Sequence, residues 1–370
     1  GVTRIAIDAR ELAGRPTGVG RYLGRLLQSW GGLGETANHR FILYLPAGTN
    51  VALPTLPPGS GRLDLEVSEV PGKGGTRWEQ GTLARAVRRD SPDVLFCPAY
   101  TAPLLVNVPV VLTIHDVSFL AHPEWFPGRT RLRRRLVTSL AARRASAILT
   151  VSAFSKDEIV GRLRVAPDRV RIIPHAPTNP PAPLPPPPRA PLILFVGSLF
   201  NRRHLPELIH ATATVVSRHP DVRLTIVGED RTYPALDLAS CAERAGVGRA
   251  VSFRSYLQDA DLGELYARAS AFAFLSDYEG FGLTPLEAMA AGVPAVVGDT
   301  PVAHEVYGGA ACFVPTGDVD RIAAALESAL FDAGTRARLE AAAKVTLARY
   351  SWDRAGRETL SALVEAGRSR

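Results

Sequence analysis

The stretch that decides the fold reads DYEGFGLTPLEAMAAG over residues 277–292 and follows a short apolar run at residues 271–275. The apolar run predicts a buried strand. The residues after it predict a helix, with Thr284 as its N-cap, Pro285 as its first residue and Gly292 just past its end. A buried strand that turns through a glycine-rich loop into a helix is typical of a parallel α/β sheet.

The loop between strand and helix also predicts an anion site. Gly280 lets the backbone approach a ligand closely. The backbone amides of a helix start point away from the helix, where they favour negative charge. We therefore expect a diphosphate to bind at Phe281, Gly282, Leu283 and Thr284.

Two carboxylates, Glu279 and Glu287, lie eight positions apart around this loop. A carboxylate accepts two hydroxyl hydrogens at once, which suits the vicinal diols of a sugar and of a ribose. Thr284 and Glu287 also match a capping box, in which Glu287 would only satisfy the helix start. Because the capping box leaves Glu279 unexplained, we favour ligand binding by both carboxylates.

The same alternation of strands and helices runs on both sides of a proline-rich stretch. The chain has 370 residues and 46% of them are hydrophobic, which is enough for two domains with separate cores. Residues 177–191 read PTNPPAPLPPPPRAP, and prolines cannot join a central strand. We predict a linker there, between Rossmann-like domains at residues 1–176 and 192–351 that face each other across a cleft. A helix in residues 352–370 can cross back to the first domain.

The individual elements follow from short apolar runs and from helical spacing. The predicted strands are residues 4–8, 41–45, 94–97, 108–114, 147–151, 170–173, 192–196, 223–227, 251–253, 271–275 and 295–297. The predicted helices include residues 21–30, 79–88, 131–144, 155–163 and 205–218.

Glu279 and Glu287 resemble the E-x7-E signature of family 4 retaining glycosyltransferases, which have the GT-B fold. The resemblance covers nearly the whole chain. Further segments follow in the family's order: Thr17-Gly18-Val19-Gly20-Arg21-Tyr22, Ile114-His115-Asp116, Gly197-Ser198-Leu199, Arg202-Arg203 and Gly308-Gly309-Ala310. The resemblance implies a hexosyltransferase that moves a sugar from a nucleotide diphosphate to a hydroxyl of a glycan or lipid-linked acceptor.

Arg202 and Arg203 follow the predicted strand at residues 192–196. Two guanidinium groups at that place can clamp a diphosphate and stabilise it as a leaving group. Members of the family usually carry Arg-Lys-Asn here, whereas this chain has Arg202, Arg203 and His204. The alternative is a solvated basic turn.

Gly18 and Gly20 are expected in the loop after the first strand, close to a phosphate or an acceptor. By resemblance, Gly18 faces the donor diphosphate. An ordinary turn before a helix is the alternative. A dinucleotide fingerprint is disfavoured, because its third glycine would stand at Leu23.

His115 follows the apolar run at residues 108–114, which places it at the carboxyl end of a strand. The resemblance places this histidine near the donor sugar and the acceptor, so we predict that it contacts a sugar hydroxyl or helps to place the nucleophile. A capped core histidine is the alternative. We expect Asp116 to orient the turn.

We predict neither a metal site nor a cofactor. Asp318 and Asp320 match a metal-binding D-x-D by pattern, but N-capping of the following helix explains Asp318 better. The three cysteines, Cys97, Cys241 and Cys312, are far apart and have no C-x-x-C spacing.

The charge and hydropathy of the chain limit which partners and which cellular location we expect. The net charge of +7 favours an anionic partner, for which we expect a nucleotide sugar and not a nucleic acid. Between Arg129 and Arg144 the chain holds seven arginines among apolar residues, which could form a basic amphipathic helix on anionic lipid or an ordinary solvated face. No run of 18 apolar residues and no signal-peptide pattern occur, so we expect a cytoplasmic protein, at most peripheral on the membrane.

The donor base leaves little trace in the sequence. We expect the turn at residues 255–257, including Leu257, to contact it through backbone atoms. The resemblance leans to bacterial mannosyl- and rhamnosyltransferases, so GDP-mannose is the first expectation, with UDP-glucose, UDP-N-acetylglucosamine and dTDP-rhamnose open. The other classes considered are a non-catalytic two-domain sugar- or nucleotide-binding protein, and an NAD-dependent oxidoreductase, for which the glycine fingerprint is incomplete.

Overall fold

The computed structural model describes residues 1–14, 18–51, 53, 63–178, 191–255 and 257–369, without the side chains of residues 129–131. Thr17, Tyr256 and most of the proline-rich linker lie outside the described residues. The chain divides into two compact units. Unit 1 comprises Gly1–His175 with Ser351–Arg370, and unit 2 comprises Ala176–Tyr350.

Each unit is built on one parallel sheet. The strands are β1 (Thr3–Asp8), β2 (His39–Pro46), β3 (Asp64–Val70), β4 (Val94–Cys97), β5 (Val110–Thr113), β6 (Ala147–Thr150), β7 (Val170–Ile172), β8 (Leu192–Val196), β9 (Arg223–Val227), β10 (Val251–Arg254), β11 (Ala271–Phe274), β12 (Ala295–Gly298) and β13 (Ala311–Val314). The sheet of unit 1 has the order β3-β2-β1-β4-β5-β6-β7, and that of unit 2 has the order β10-β9-β8-β11-β12-β13.

Helices connect these strands. They are α1 (Gly18–Gly32), α2 (Gly75–Arg77), α3 (Ala84–Asp90), α4 (Ser118–Ala121), α5 (Gly128–Arg144), α6 (Ala153–Leu163), α7 (Leu205–Arg218), α8 (Leu238–Arg244), α9 (Asp259–Arg268), α10 (Leu283–Ala290), α11 (Pro301–Tyr307), α12 (Val319–Phe331), α13 (Ala333–Leu347) and α14 (Trp352–Arg368). Short 3₁₀ helices occur at Arg10–Leu12, Gly34–Asn38, Pro123–Trp125, Pro167–Arg169, Asn201–Arg203 and Gly308–Ala310, and a π-helix at Trp78–Leu83 joins α2 to α3.

Central strands are apolar along their whole length because helices cover both faces of the sheet. In β4 (VLFC) and β8 (LILFV) every residue is buried, which is why the sequence predicts both strands with the correct bounds. The edge strand β3 (DLEVSEV) is largely exposed and charged, and it was not predicted. An edge strand has one neighbour and one solvated side, so its sequence carries little apolar signal.

The last helix, α14, belongs to unit 1 and packs on α1. Trp30 Nε1 donates to the Gly356 carbonyl at 2.9 Å, and Ser29 Oγ donates to the Trp352 carbonyl at 3.1 Å. A Cβ on Gly356 would collide with the Ser29 hydroxyl, so the two helices approach through a glycine.

The strand order places a candidate ligand site in each unit. In an open parallel sheet, ligands bind at the carboxyl ends of the strands where the order reverses. In unit 1 this point lies between β1 and β4, and in unit 2 between β8 and β11. Of the described helices, none is long and apolar enough to cross a membrane.

Candidate functional site

The loops after β8 and β11 meet at the reversal point of unit 2 through an ion pair. Arg203 donates from Nε to Glu279 Oε1 at 3.0 Å, and its Nη2 lies 2.9 Å from the same oxygen. Its Nη1 donates to the Ser198 carbonyl at 2.7 Å. The Arg203 guanidinium is thereby fixed at the carboxyl edge of the sheet.

Arg202 converges on the same carboxylate. Its Nε donates to the Tyr278 carbonyl at 3.0 Å, and its Nη2 lies 3.8 Å from Glu279 Oε1. Both guanidinium groups also lie against the Phe200 ring. Two cations thus share one carboxylate, which leaves this group of three side chains with a net charge of +1.

The pKa of Arg203 is lower than that of a free arginine. Burial lowers the pKa of its guanidinium, and repulsion from Arg202 adds to the shift, while Glu279 opposes it. A second negative charge at this place would offset the desolvation of Arg203. The arrangement can therefore accept an anion such as a phosphate group.

The Glu279 carboxylate is fixed through one of its two oxygens. Ser276 Oγ also donates to Glu279 Oε1, at 2.8 Å. Within the described residues, every hydrogen bond of this carboxylate uses Oε1. Oε2 is left to accept hydroxyl hydrogens, which fits the predicted contact with a sugar.

The helix start was predicted two residues too late. The N-cap of α10 is Gly282, with φ at +83°, and no side chain caps the helix, so the prediction of Thr284 as N-cap is wrong. The positive φ of a glycine turns the chain before Leu283, which makes Pro285 the third helical residue. The capping box is therefore out of register, and Glu287 instead accepts from the Tyr266 hydroxyl at 3.1 Å.

This earlier start places Gly282 beside the aromatic ring against which Arg203 lies. A Cβ on Gly282 would lie 3.9 Å from the Phe274 ring, and the Arg203 guanidinium carbon lies 4.8 Å from the centre of that ring. The Thr284 hydroxyl is buried and has no hydrogen-bond partner within the described chain. The N-cap of α10 and the Arg203 guanidinium therefore lie against the same aromatic ring.

Tyr307 fixes the glycine-rich loop from behind. Its hydroxyl donates to the Gly282 carbonyl at 2.8 Å, and a Cβ on Gly282 would collide with that hydroxyl. Phe281 is buried, with its ring edge-on to Tyr350 at 5.2 Å. The backbone of Phe281, more than its side chain, is therefore available to a ligand.

His204 links the two loops a second time. Its Nε2 lies 2.6 Å from Asp277 Oδ2 and its Nδ1 lies 3.3 Å from Glu207 Oε1, while Thr316 donates to Asp277 Oδ1 at 2.6 Å. Burial disfavours the charged ring, but the hydrogen bonds to Asp277 and Glu207 outweigh it and raise the pKa of His204 to about 9. His204 is thus a cation at neutral pH.

In unit 1, His115 follows β5 at the carboxyl edge, as predicted. Its Nε2 is 2.9 Å from the Pro98 carbonyl, so that nitrogen carries the proton. Burial lowers the pKa of His115, although the Pro98 carbonyl and Asp116 oppose the shift. The neutral ring therefore presents Nδ1 as an acceptor, and Asp116 Oδ1 accepts from the Ser118 amide at 2.8 Å in a turn.

Gly18 and Gly20 were predicted in a loop, but both lie in the first turn of α1. The helix begins three residues earlier than the apolar pattern indicates, because two of its first three residues are glycines, which add nothing to that pattern. Gly18 is exposed, and Tyr22 lies four residues later on the same face. The Tyr22 ring stands edge-on to His115 at 5.0 Å, so the first part of α1 lies near the histidine.

The remaining predicted residues lie apart from these groups. Leu257 follows the edge strand β10, at the same carboxyl edge of the unit 2 sheet. Asp318 Oδ1 accepts from the Arg321 amide at 3.0 Å at the start of α12, which confirms it as an N-cap. Over the described ranges, no cluster of three His, Cys, Asp or Glu side chains could hold a metal ion.

Comparison with protein families covers both units. The model of Glycosyltransferase Family 4 matches residues 16–176, and that of Glycosyl transferases group 1 matches residues 179–346. The O-antigen chain mannosyltransferase B of Escherichia coli is 30% identical over 68% of this chain and 69% of its own length. The chain belongs to the family 4 glycosyltransferases.

Solved structures with a similar fold match nearly the whole chain. HepE from Anabaena, in complex with UDP and glucose, has a TM-score of 0.74 at 19% identity over 98% of this chain and all of its own. Sucrose-phosphate synthase from Thermosynechococcus elongatus has a TM-score of 0.74 at 16% identity, with full coverage of both chains. These neighbours confirm the GT-B fold. Among sequence relatives, a glycogen synthase of Mycobacterium tuberculosis is 30% identical over 73% of this chain and 66% of its own length.

Sequence reasoning missed several residues that shape this glycosyltransferase's site. Ser276 and Tyr307 hold Glu279 and Gly282 in place, yet neither belongs to a recognisable motif. The Ser276 hydroxyl could have been suspected, because it directly precedes the glycine-rich stretch at the end of a buried run. Tyr307 lies 25 residues from Gly282 along the chain, and only the fold brings them together.

Proposed function

We propose that this family 4 glycosyltransferase is a retaining, metal-independent enzyme that transfers mannose from GDP-mannose to a glycan or lipid-linked hydroxyl. The observation that carries the proposal is the net-positive group of Arg202, Arg203 and Glu279 beside the start of α10. Cations and helix amides together can neutralise a diphosphate, a task that a divalent metal performs in other transferases. The coarser conclusion, a glycosyltransferase, follows from family membership.

The chemistry proposed for this site is a front-face displacement. Arg202, Arg203 and the amides at residues 282–284 stabilise the charge that develops on the leaving diphosphate. Cleavage of the glycosidic bond gives an oxocarbenium-like sugar, and the leaving phosphate accepts the proton of the incoming hydroxyl. Glu279 orients the sugar through its Oε2, and neutral His115 accepts from a hydroxyl through Nδ1.

Two comparisons bear on the donor. The mannosyltransferases among the relatives support mannose as the sugar, while HepE was crystallised with UDP and glucose. The two arginines would contact the diphosphate common to all these donors, so they do not select the base. Leu257 and its neighbours are proposed to contact the base.

A thermal-shift panel tests the donor assignment. GDP, UDP and dTDP, each free and as its sugar conjugate, are added to the protein, and the melting temperature is followed. A ligand of the native state raises that temperature with its concentration, so GDP and GDP-mannose should give the largest shifts. Larger shifts with UDP or dTDP compounds would overturn the mannose assignment, and no shift with any of them would overturn the diphosphate site.

Turnover separates transfer from mere binding. Release of GDP from GDP-mannose in the presence of chelator is expected, with retained anomeric configuration in the product by NMR. Loss of turnover in chelator would contradict metal independence, and an inverted product would contradict the front-face step. Tight donor binding without any release would instead support the non-catalytic binding protein.

We also propose that the α5 face of unit 1 contacts an anionic membrane, where a lipid-linked acceptor would lie. Leu132 and Leu136 on this helix are 69% and 58% exposed. Next to them lies a groove of about 760 Å³ lined in part by Arg135, Arg143 and Arg164. No acidic side chain pairs with these three arginines among the residues that the structure describes. The cytoplasmic location stays a prediction.

Sedimentation with lipid vesicles tests this contact. The protein should pellet with vesicles that contain phosphatidylglycerol and stay in solution with phosphatidylcholine alone. Substitution of Arg135, Arg143 and Arg164 by Gln should abolish the difference, while Arg218→Gln in unit 2 should not. Equal pelleting of the triple variant and the native protein would contradict the proposal.

A further inference from the structure

Unit 1 contains a buried ionic cluster that the proposed transfer reaction does not use. Asp8 and Glu79 are 2% and 1% exposed, and both pair with Arg10, at 3.0 and 2.7 Å from its Nη2. Burying two carboxylates around one guanidinium costs free energy that apolar packing would avoid. The cluster lies at the carboxyl end of β1, beside the reversal point of the sheet.

An irregular helix turns two side chains of this region toward one loop. Glu79 and Gln80 belong to the π-helix at Trp78–Leu83, a widened turn that is uncommon and frequent at functional sites. Thr101 Oγ1 donates to Glu79 Oε1 at 2.7 Å. Gln80 donates to the Ala102 carbonyl at 2.9 Å and accepts from the Leu104 amide at 2.9 Å. The π-helix therefore clamps the loop that follows β4.

The clamped loop carries a strained residue. Tyr100 has φ at +59°, which is unfavourable for any side chain with a Cβ. Its amide donates to the Thr113 carbonyl at 2.9 Å, and its hydroxyl donates to Asp116 Oδ2 at 3.0 Å. Strain of this kind persists only where the surroundings fix the conformation.

The other end of the loop holds His115. The Pro98 carbonyl accepts from His115 Nε2 at 2.9 Å, and the Tyr100 ring stands edge-on to the imidazole at 5.6 Å. The position of that carbonyl decides which ring nitrogen carries the proton. Nδ1, for which no partner occurs within the described residues, is consequently the acceptor.

We propose that the cluster of Asp8, Arg10 and Glu79 positions His115, through the hydroxyl of Thr101 and the loop that it holds. The Thr101 hydroxyl is the link, since it donates to Glu79 and accepts from Arg10 Nη2 at 3.3 Å. The cluster acts on the orientation and the tautomer of the imidazole and touches no substrate. It is a positioning device for the sugar-transfer step.

Two substitutions at Thr101 test this link. Thr101→Val keeps the side-chain shape but removes the hydroxyl, and Thr101→Ser keeps the hydroxyl. We expect Thr101→Val to lower kcat roughly 10-fold, with the donor KM unchanged, because a small displacement of a catalytic group costs turnover more than binding. Thr101→Ser should recover most of that loss.

A direct measurement on the imidazole accompanies the kinetics. Nitrogen-15 NMR of histidine-labelled protein should show a proton on Nε2 of His115 in the native chain and in Thr101→Ser. In Thr101→Val we expect a shifted mixture of tautomers. Thr82→Val serves as the matched control, because Thr82 donates to the Trp78 carbonyl in the same π-helix but does not touch the loop.

Three results would overturn the proposal: native kcat and native His115 resonances in Thr101→Val, an equal loss in Thr101→Ser, or an equal loss in Thr82→Val. Should Thr101→Val fold poorly, Gln80→Met removes both hydrogen bonds from Gln80 to the loop, together with its bond of 3.3 Å to Glu79 Oε2, and unchanged His115 resonances there would count against the proposal. The NMR measurement does not depend on the donor, so absence of transfer activity would refute the proposed function and leave this test intact.

Discussion

Each unit carries a cluster of charged side chains at the reversal point of its sheet, and the two clusters have opposite net charge. In unit 1 two carboxylates, Asp8 and Glu79, surround Arg10, whereas in unit 2 two guanidinium groups share Glu279. Burial raises the pKa of Asp8 to about 6, with Arg10 opposing and Glu79 adding to the shift. Burial lowers the pKa of the unit 2 guanidinium, Arg203.

Under the proposed function, this contrast separates a positioning cluster from a binding site. The unit 1 cluster already has more negative than positive charge, so it repels an anionic ligand. The unit 2 cluster has a net positive charge, and under the proposed function a diphosphate would complete it. We therefore propose a positioning role for the unit 1 cluster and a binding role for the unit 2 cluster, although the two sheets have similar topology.

The largest effect is expected from Glu279→Gln. The substitution removes the carboxylate that holds Arg203 and is proposed to orient the sugar, so kcat should fall about 100-fold or more. GDP should bind at least as tightly as before, because the two cations then lack their counter-ion. Steady-state kinetics and calorimetry check both parts. Native turnover in Glu279→Gln would refute its assigned role.

A second comparison concerns the stability effect of adding a Cβ to Gly282, the N-cap of α10, and to Gly18, the first residue of α1. Gly282→Ala forces a Cβ against Tyr307 at φ +83°, and should reduce the free energy of unfolding by about 1–3 kcal/mol. Gly18→Ala meets nothing within 4 Å, and should change it by less than about 0.5 kcal/mol. Denaturant unfolding measures both. Equal destabilisation would contradict the geometry, and lower activity of Gly18→Ala at native stability would support its predicted contact with the diphosphate.

The smallest effect concerns His204, whose ring pairs with Asp277 and Glu207. Its folded pKa of about 9 exceeds the unfolded value of 6.5, so its contribution to stability is complete below pH 6.5 and is lost as the pH rises through 9. The melting temperatures of the native chain and His204→Asn should therefore differ most near pH 6 and converge at alkaline pH. A difference that does not vary with pH would show that the charge of His204 does not stabilise the fold.

Features that depend on residues close together in the sequence could be predicted from it. β8 and β11 are apolar runs, Arg202 and Arg203 are adjacent, and Glu279 lies within a recognisable motif, so each was found. The start of α10 was misplaced because propensity favoured Thr284 as N-cap, while tertiary contact with Tyr307 selects Gly282.

The unit 1 cluster could not have been predicted in this way. Asp8, Arg10 and Glu79 come from segments some seventy residues apart, and no spacing rule connects them. A widened helical turn brings Glu79 inward, and π-helices leave no periodic pattern that distinguishes them from an ordinary helix. Contacts of this kind, between segments far apart in the sequence, can be recognised only in the three-dimensional structure.

The most direct test of the account is the affinity for GDP of three arginine variants, measured by calorimetry at low and high salt. Arg203→Met should bind GDP roughly 10- to 100-fold more weakly than the native chain, because a charged hydrogen bond to phosphate is lost. Arg203→Lys should lose much less and keep the salt dependence. Arg218→Gln should match the native chain, because Arg218 lies at the C-terminal end of α7 and pairs with Glu327. Equal affinity of Arg203→Met and the native protein would contradict the claim that these guanidinium groups bind the donor diphosphate.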